Sequence, residues 1–238
     1  MRLTDFRVLT FDCYGTLIDW ESGIYAALQP LLQQAPAPLS RDAALELFAA
    51  HEADQEEQTP GMLYSALLTA VHRRLARALD VVMPEDAHQR FGASVPDWPA
   101  FADSASSLQY LKKYYQLVIL SNTDRVSFAG SNERLMVEFD AIYTAQDIGS
   151  YKPALANFHF MLDRLAQREV RPGDILHTAQ SLFHDHGPAK AVGLASAWID
   201  RRGGQGWGAT KPAPDAKYDF RFSSMADMVK AHQEDLRA

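Results

Sequence analysis

Cysteine is nearly absent: Cys13 stands alone in 238 residues. No disulfide can form within the chain, and a reducing, cytoplasmic setting is expected. An excess of positive charge is missing too, with 23 Lys and Arg against 30 Asp and Glu, for a formal net charge of −7. That balance argues against nucleic acid or an anionic membrane surface as a partner. No apolar run approaches the roughly 20 residues that cross a bilayer. Met1–Phe6 leads straight into an apolar strand pattern, so no secretory leader is expected. Internal repeats and low-complexity tracts are lacking. What is present, 47% hydrophobic and 22% charged residues, suits a globular protein with a sizeable core.

Periodicity divides the chain into two kinds of territory. Val8–Phe11 is a short apolar strand, and Ile18–Gln34 carries Ile24, Leu28, Leu31 and Leu32 at helical spacing. After the Pro-rich Ala35–Pro38, helices are expected at Arg41–His51 behind Ser40 as N-cap, at Met62–Leu79 and at Glu85–Phe91. From Ser104 the pattern alternates: helix 104–115, strands 117–121 and 141–144, helix 154–168, strand 174–178, helix 186–192, strand 195–199. Alternation with short connections means a parallel sheet covered by helices on both faces. The expected architecture is α/β, a doubly wound parallel sheet built from residues 1–15 and 99–238. An all-helical cap, residues 16–98, is inserted after the first strand.

The residues that could carry chemistry fall at strand ends, where open α/β sheets bind their ligands. Asp12 follows the first strand at once and Gly15 supplies a tight turn, so its carboxylate is placed to act as a nucleophile or simply to cap the turn. Cys13 beside it reads as a small core hydrophobe. Leu117–Leu120 ends in Ser121 and Asn122, which suit a substrate carboxylate or an oxyanion and equally suit a helix N-cap. In Ser150-Tyr151-Lys152-Pro153 the proline favours an extended residue before it and a helix after it. Lys152 is therefore expected at the pocket rim, holding Asp12 ionised. A fourth region, Ile175–Ala189, contains Gln180, Ser181 and Asp185 among His177, His184 and His186. The histidine spacing matches no zinc motif and no cysteine pair accompanies it, so no zinc is expected. His184 or His186 stays open as a base.

Phe11-Asp12-Cys13-Tyr14-Gly15-Thr16-Leu17, followed in order by these three regions, resembles the haloacid dehalogenase superfamily over roughly residues 7–200. The resemblance implies that Asp12 is the nucleophile, with Thr16, Lys152 and Asp185 in the catalytic set. It implies substrate contacts from Tyr14, Ser121, Asn122, Gln180 and Ser181. Phosphatases of the superfamily have an acid where Tyr14 stands and another where Gln180 stands. A hard cation prefers anionic oxygen, so no metal or other cofactor is expected. Tyr14 resembles the 2-haloacid dehalogenase branch, which attacks carbon, takes small carboxylic acids and is often dimeric. Thr59–Tyr64, Tyr110–Tyr115, Thr144–Asp147, Ser196–Ile199, Gly206–Thr210 and Tyr218–Phe222 resemble the related hydrolases of L-azetidine-2-carboxylate. A Mg²⁺-dependent phosphatase is the competing class. A silent binding module gains nothing from a chain that keeps Asp12, Ser121, Lys152 and Asp185.

The stretch His51–Gln58 separates the two branches. It lacks the cap arginine that steers anionic haloacids in the dehalogenases it resembles, and carries Glu52, Asp54, Glu56 and Glu57 instead. Such acids repel a pure anion and attract a ring ammonium, or else form a solvated helix face. Helical spacing puts Glu52 and Glu56 on one face and Asp54 on another, so these two are the expected substrate contacts.

Overall fold

The computed structural model describes residues 1–203, 213 and 215–238; the segment Gly206–Thr210 lies outside them. Strand β1 (Val8–Phe11) is buried at every position, as a strand covered on both faces must be. Four helices follow it: α1 (Trp20–Leu32), α2 (Arg41–Gln58), α3 (Tyr64–Ala78) and α4 (Glu85–Gly92). The chain then returns through α5 (Ser104–Leu111) to β2 (Gln116–Ser121), α6 (Arg125–Leu135), β3 (Ala141–Thr144) and the single turn α7 (Ala145–Ile148). It closes with α8 (Leu155–Ala166), β4 (Ile175–Ala179), α9 (Gly187–Ala191), β5 (Ala195–Ile199), β6 (Phe220–Phe222) and α10 (Met225–Asp235). The strand order is β3-β2-β1-β4-β5-β6 and every pairing is parallel. β1 thus lies between β2 and β4, where the winding of the sheet reverses and a crevice opens at the strand ends.

Side-chain alternation sorts the sheet into two apolar layers. Leu9, Phe11, Leu117, Ile119 and Leu176 join one cluster; Val8, Val118, Leu120 and Ile175 join the other. The first cluster runs on into the inserted helices through Ile24, Leu28, Phe48, Leu67 and Trp98. Close packing is permitted there by Gly23, where a Cβ would lie 2.3 Å from the Trp98 ring.

The insertion leaves and rejoins the sheet layer through a narrow neck. Ile18 bridges Ala100 in antiparallel fashion. Asp19 N–H donates to the Pro99 carbonyl at 2.8 Å, and Phe101 N–H donates to the Leu17 carbonyl at 3.0 Å.

Several elements depart from the sequence reading. α2 continues to Gln58 instead of ending near His51, which places the whole acidic stretch on one helix. The helix expected at 186–192 is preceded by a π-helical turn, Leu182–His186, so the chain begins to coil earlier. α6 was not expected because its buried face mixes Phe128 and Leu135 with Ser127 and Ser131, which blurs the apolar stripe, and it packs closely on the neck, where a Cβ on Gly130 would meet Pro96 at 2.4 Å.

Candidate active site

Asp12 leaves β1 with its backbone N–H on the Thr178 carbonyl at 3.1 Å. Gly15 then turns the chain at φ +96°, and a Cβ there would stand 3.0 Å from Trp20 Nε1, so the turn requires glycine. One carboxylate oxygen of Asp12 accepts from Lys152 Nζ at 2.9 Å and the other from Thr16 Oγ1 at 2.7 Å. Thr16 accepts in turn from Gln180 N–H at 2.9 Å, which fixes its hydroxyl rotor.

Lys152 is 2% exposed. Its ammonium donates to Asp12, to Asp185 Oδ1 at 2.7 Å and to the Leu120 carbonyl at 3.0 Å, using all three hydrogens. The rim position expected from the Lys-Pro pattern is therefore corrected. The long stem carries the charge to the pocket floor, where two carboxylates compensate its lost hydration. Burial alone would lower Lys152, but Asp12 and Asp185 outweigh it and hold the ammonium above the ordinary lysine range. Burial likewise works to raise Asp185, yet Lys152 and His177 hold that carboxyl well below the usual range. Asp12 is pushed upward by burial, against the pull of Lys152 and the Thr16 hydroxyl.

His177 completes the floor from inside β4. Its Nε2 lies 2.9 Å from Asp185 Oδ1 and its Nδ1 lies 2.9 Å from Thr10 Oγ1. With Asp185 ionised, Nε2 donates to the carboxylate and Nδ1 accepts from Thr10. The sequence reading weighed His177 only as a metal ligand. Its signal was a polar pair on neighbouring strands, since Thr10 stands directly opposite His177 in the register.

The other expected residues are distributed unevenly. Asn122 lines the cavity, but its amide clips the backbone of Lys152, accepting from the N–H at 2.7 Å and donating to the carbonyl at 3.0 Å. The structure does not bring Ser121 or Gln180 onto the cavity wall. Ser121 is buried, while Gln180 accepts at its carbonyl from Trp198 Nε1 at 2.9 Å and packs its side chain beside Gly15. Ser181 does line the cavity, its hydroxyl accepting from His184 N–H at 3.0 Å. Tyr14 lines it too, with its hydroxyl 3.0 Å from Ser131 Oγ and its ring edge-on to Trp98. His184 is on the wall; His186 is not. The latter bonds to Ser196 Oγ and the Ala179 carbonyl, and burial lowers it to about 4, which removes it from the candidate bases.

Above this floor the cavity, about 90 Å³, is closed by Trp20 of α1, by Ala49, Glu52, Ala53 and Glu56 of α2, and by Tyr64 of α3. Their spacing is one face of a helix. Asp54 leaves in another direction, toward Arg74 at 3.3 Å. Glu52 accepts from Tyr64 Oη at 2.6 Å, and burial pushes its carboxyl up to about 7 against the pull of that bond.

The donor set does not fit Mg²⁺. Asp12 and Asp185 converge on the Lys152 ammonium, so a positive charge already stands between the two acids a cation would need. Tyr14 adds a phenol to the wall and no further carboxylate stands beside this trio on the floor among the described residues.

A parallel sheet with an aspartate at the end of its central strand, a lysine buried between two carboxylates and a helical roof defines a hydrolase class. The sequence matches the haloacid dehalogenase-like hydrolase family over residues 6–179, and the chain belongs to that family. It is 27% identical over 205 residues to (S)-2-haloacid dehalogenase 4A of Burkholderia cepacia, a match covering 83% of this chain and 84% of that one. Among solved structures, the L-2-haloacid dehalogenase PA0810 shares the fold with a TM-score of 0.79 at 21% identity, covering 98% of this chain and 100% of that one. The L-2-haloacid dehalogenase from Xanthobacter autotrophicus with chloropropionic acid covalently bound does so with a TM-score of 0.78 at 16% identity, covering 96% and 98%. Among the described residues, no helix is long and apolar enough to cross a membrane.

Proposed function

We propose that this protein is a metal-independent hydrolase in which Asp12 displaces the leaving group from the α-carbon of a small 2-substituted carboxylic acid. The observation that carries this reading is the carboxylate of Asp12, held from both oxygens by Lys152 and Thr16 at the floor of a cavity of about 90 Å³. Attack on the α-carbon gives an aspartyl ester at Asp12. Water then attacks the acyl carbon of Asp12 and the hydroxy acid departs. Asp185 Oδ2, buried and unpartnered among the described residues, is the acceptor available to orient that water. A Mg²⁺-dependent phosphatase is the weaker reading, because Tyr14 cannot protonate a leaving phosphate ester as a carboxylic acid would.

Two leaving groups are compatible with this chemistry. A ring amine, as in azetidine-2-carboxylate, is favoured by Glu52 and Glu56 on the wall, where they attract a substrate ammonium. A halide is favoured by the likeness to the Burkholderia enzyme. The test of the common mechanism is one turnover in ¹⁸O-water, with the label sought by mass spectrometry in the peptide containing Asp12. Label that passes straight to product overturns the ester. Parallel assays of azetidine-2-carboxylate loss, chloride release and phosphate release then assign the leaving group.

A further inference from the structure

The turn that carries the nucleophile is braced from behind as well as from within the cavity. Arg201, two residues beyond β5, stands outside the cavity wall with its side chain 11% exposed. Its guanidinium meets the Thr16 carbonyl from two nitrogens, Nη2 at 2.7 Å and Nε at 3.2 Å. Nη1 donates to both oxygens of Asp103, at 2.8 and 3.0 Å, and Cζ lies 4.1 Å from the centre of the Phe101 ring. We infer that Arg201 is a positioning residue that sets the aim of the Asp12 carboxylate through Thr16, an inference that rests on the reading of Asp12 as nucleophile.

The need for such a brace follows from the turn itself. Gly15, at φ +96°, is the least restrained backbone unit in the turn and immediately precedes Thr16. The Thr16 hydroxyl can hold the second oxygen of Asp12 at 2.7 Å only while the backbone beneath it keeps its place. Gln180 N–H restrains that hydroxyl from one side at 2.9 Å. Among the described residues, Arg201 alone donates to the Thr16 carbonyl. The brace is anchored in turn. Asp103 Oδ2 accepts at 3.1 Å from the Ala226 N–H at the start of α10, and Ser104 Oγ donates to the Leu17 carbonyl at 2.7 Å. The exit of β5 and the entry to α5 thus hold two successive carbonyls behind the nucleophile. Arg202, the neighbouring cation, has a different task, for it pairs with Glu21 of α1 at 2.6 Å.

Arginine suits this place and lysine does not. A planar fork of nitrogens reaches a carbonyl and a carboxylate at once in fixed directions, whereas an ammonium is a point charge with no preferred plane. A lysine at position 201 would keep a charge beside Asp103 and lose the doubled grip on Thr16. Stability and aim are therefore separable: the first follows Asp103, the second follows Thr16. An error of about 1 Å in placing a reacting group costs on the order of 10²-fold in rate.

The experiment compares the full chain as wild type, Arg201→Lys and Arg201→Ala in single turnover. Enzyme is in excess over azetidine-2-carboxylate or 2-chloropropionate, whichever the wild type consumes. At saturating enzyme the rate constant of substrate loss reads the attack by Asp12. A partly unfolded sample lowers the amount of competent enzyme without moving that constant. The expected result is a fall of about 10²-fold in Arg201→Ala and about tenfold in Arg201→Lys, with Arg201→Lys melting near wild type. Guanidinium, added well below denaturing concentrations, should recover part of the rate in Arg201→Ala, and methylammonium should not. A wild-type rate constant in Arg201→Lys overturns the inference even if Arg201→Ala does not fold. So does a folded Arg201→Ala whose rate guanidinium leaves unchanged. A wild type that consumes neither acid, or that leaves ¹⁸O out of Asp12, overturns the nucleophile reading and the inference with it.

Discussion

The floor and the roof of the cavity are built on opposite electrostatic plans. At the floor, Asp12, Lys152, Asp185, His177 and Thr16 form a closed network in which one buried cation answers two buried carboxylates. At the roof, Glu52 has one neutral hydrogen-bond donor and no cation among the described residues. Burying paired charge is tolerable, whereas withdrawing an acid from water beside no cation favours its protonated form. The charges of the floor offset one another, and the roof has no such counterweight among the described residues. Chemistry common to a family belongs in the first kind of region, and discrimination between substrates in the second.

The largest break in that contrast comes from Asp12→Asn. An amide is a poor nucleophile of nearly the same shape, so turnover should fall more than about 10³-fold while the melting temperature stays near wild type. Residual turnover near the wild-type rate would take Asp12 out of the mechanism. Next in size is Lys152→Met, which strands two carboxylates and should cost about 3–5 kcal/mol in urea unfolding. A stability close to wild type would show that the floor is not an ion-paired unit.

The roof should answer with the opposite sign. Glu52 has a folded value of about 7 against an ordinary 4.5, so the unfolded chain loses this proton first as pH rises. Its ionisation therefore erodes stability between those values, and the full penalty persists above 7. Glu52→Gln should then melt higher than wild type at pH 8 and at the same temperature at pH 4. A loss of stability at pH 8 would mean that the carboxylate has a partner in solution. Smaller still, Glu56→Gln should raise KM for azetidine-2-carboxylate about fivefold, the size of one partly screened charge contact. An unchanged KM would assign Glu56 to a solvated role. EDTA, the mildest perturbation, should leave the rate untouched, and restoration by added Mg²⁺ after a loss would favour the phosphatase.

The sequence showed the floor in outline because its residues sit at strand ends, where apolar runs stop abruptly at Asp12, Ser121 and Gln180. It also put Glu52 and Glu56 on one helix face and Asp54 on another, since that follows from helical geometry alone. What it could not show was depth. A lysine before a proline reads as a loop residue, and only the meeting of three strands reveals that its ammonium lies between Asp12 and Asp185. His177 was hidden for the same reason: its partners, Thr10 and Asp185, come from another strand and from a π-helical turn. Elements went unseen where serines interrupt the apolar stripe, as Ser127 and Ser131 do beside Phe128 and Leu135 along α6, or where a strand is as short as β6.

The neck at Leu17–Asp19 and Pro99–Phe101 gives the molecule a modular grammar. Because the two ends of the insertion are stitched to each other, the sheet meets four helices as it would meet a short hairpin. Anything whose ends fit that stitch could be grafted in its place without moving Asp12, Thr16 or Lys152. Lineages and engineers alike can rewrite what is admitted to the cavity while inheriting the reaction intact.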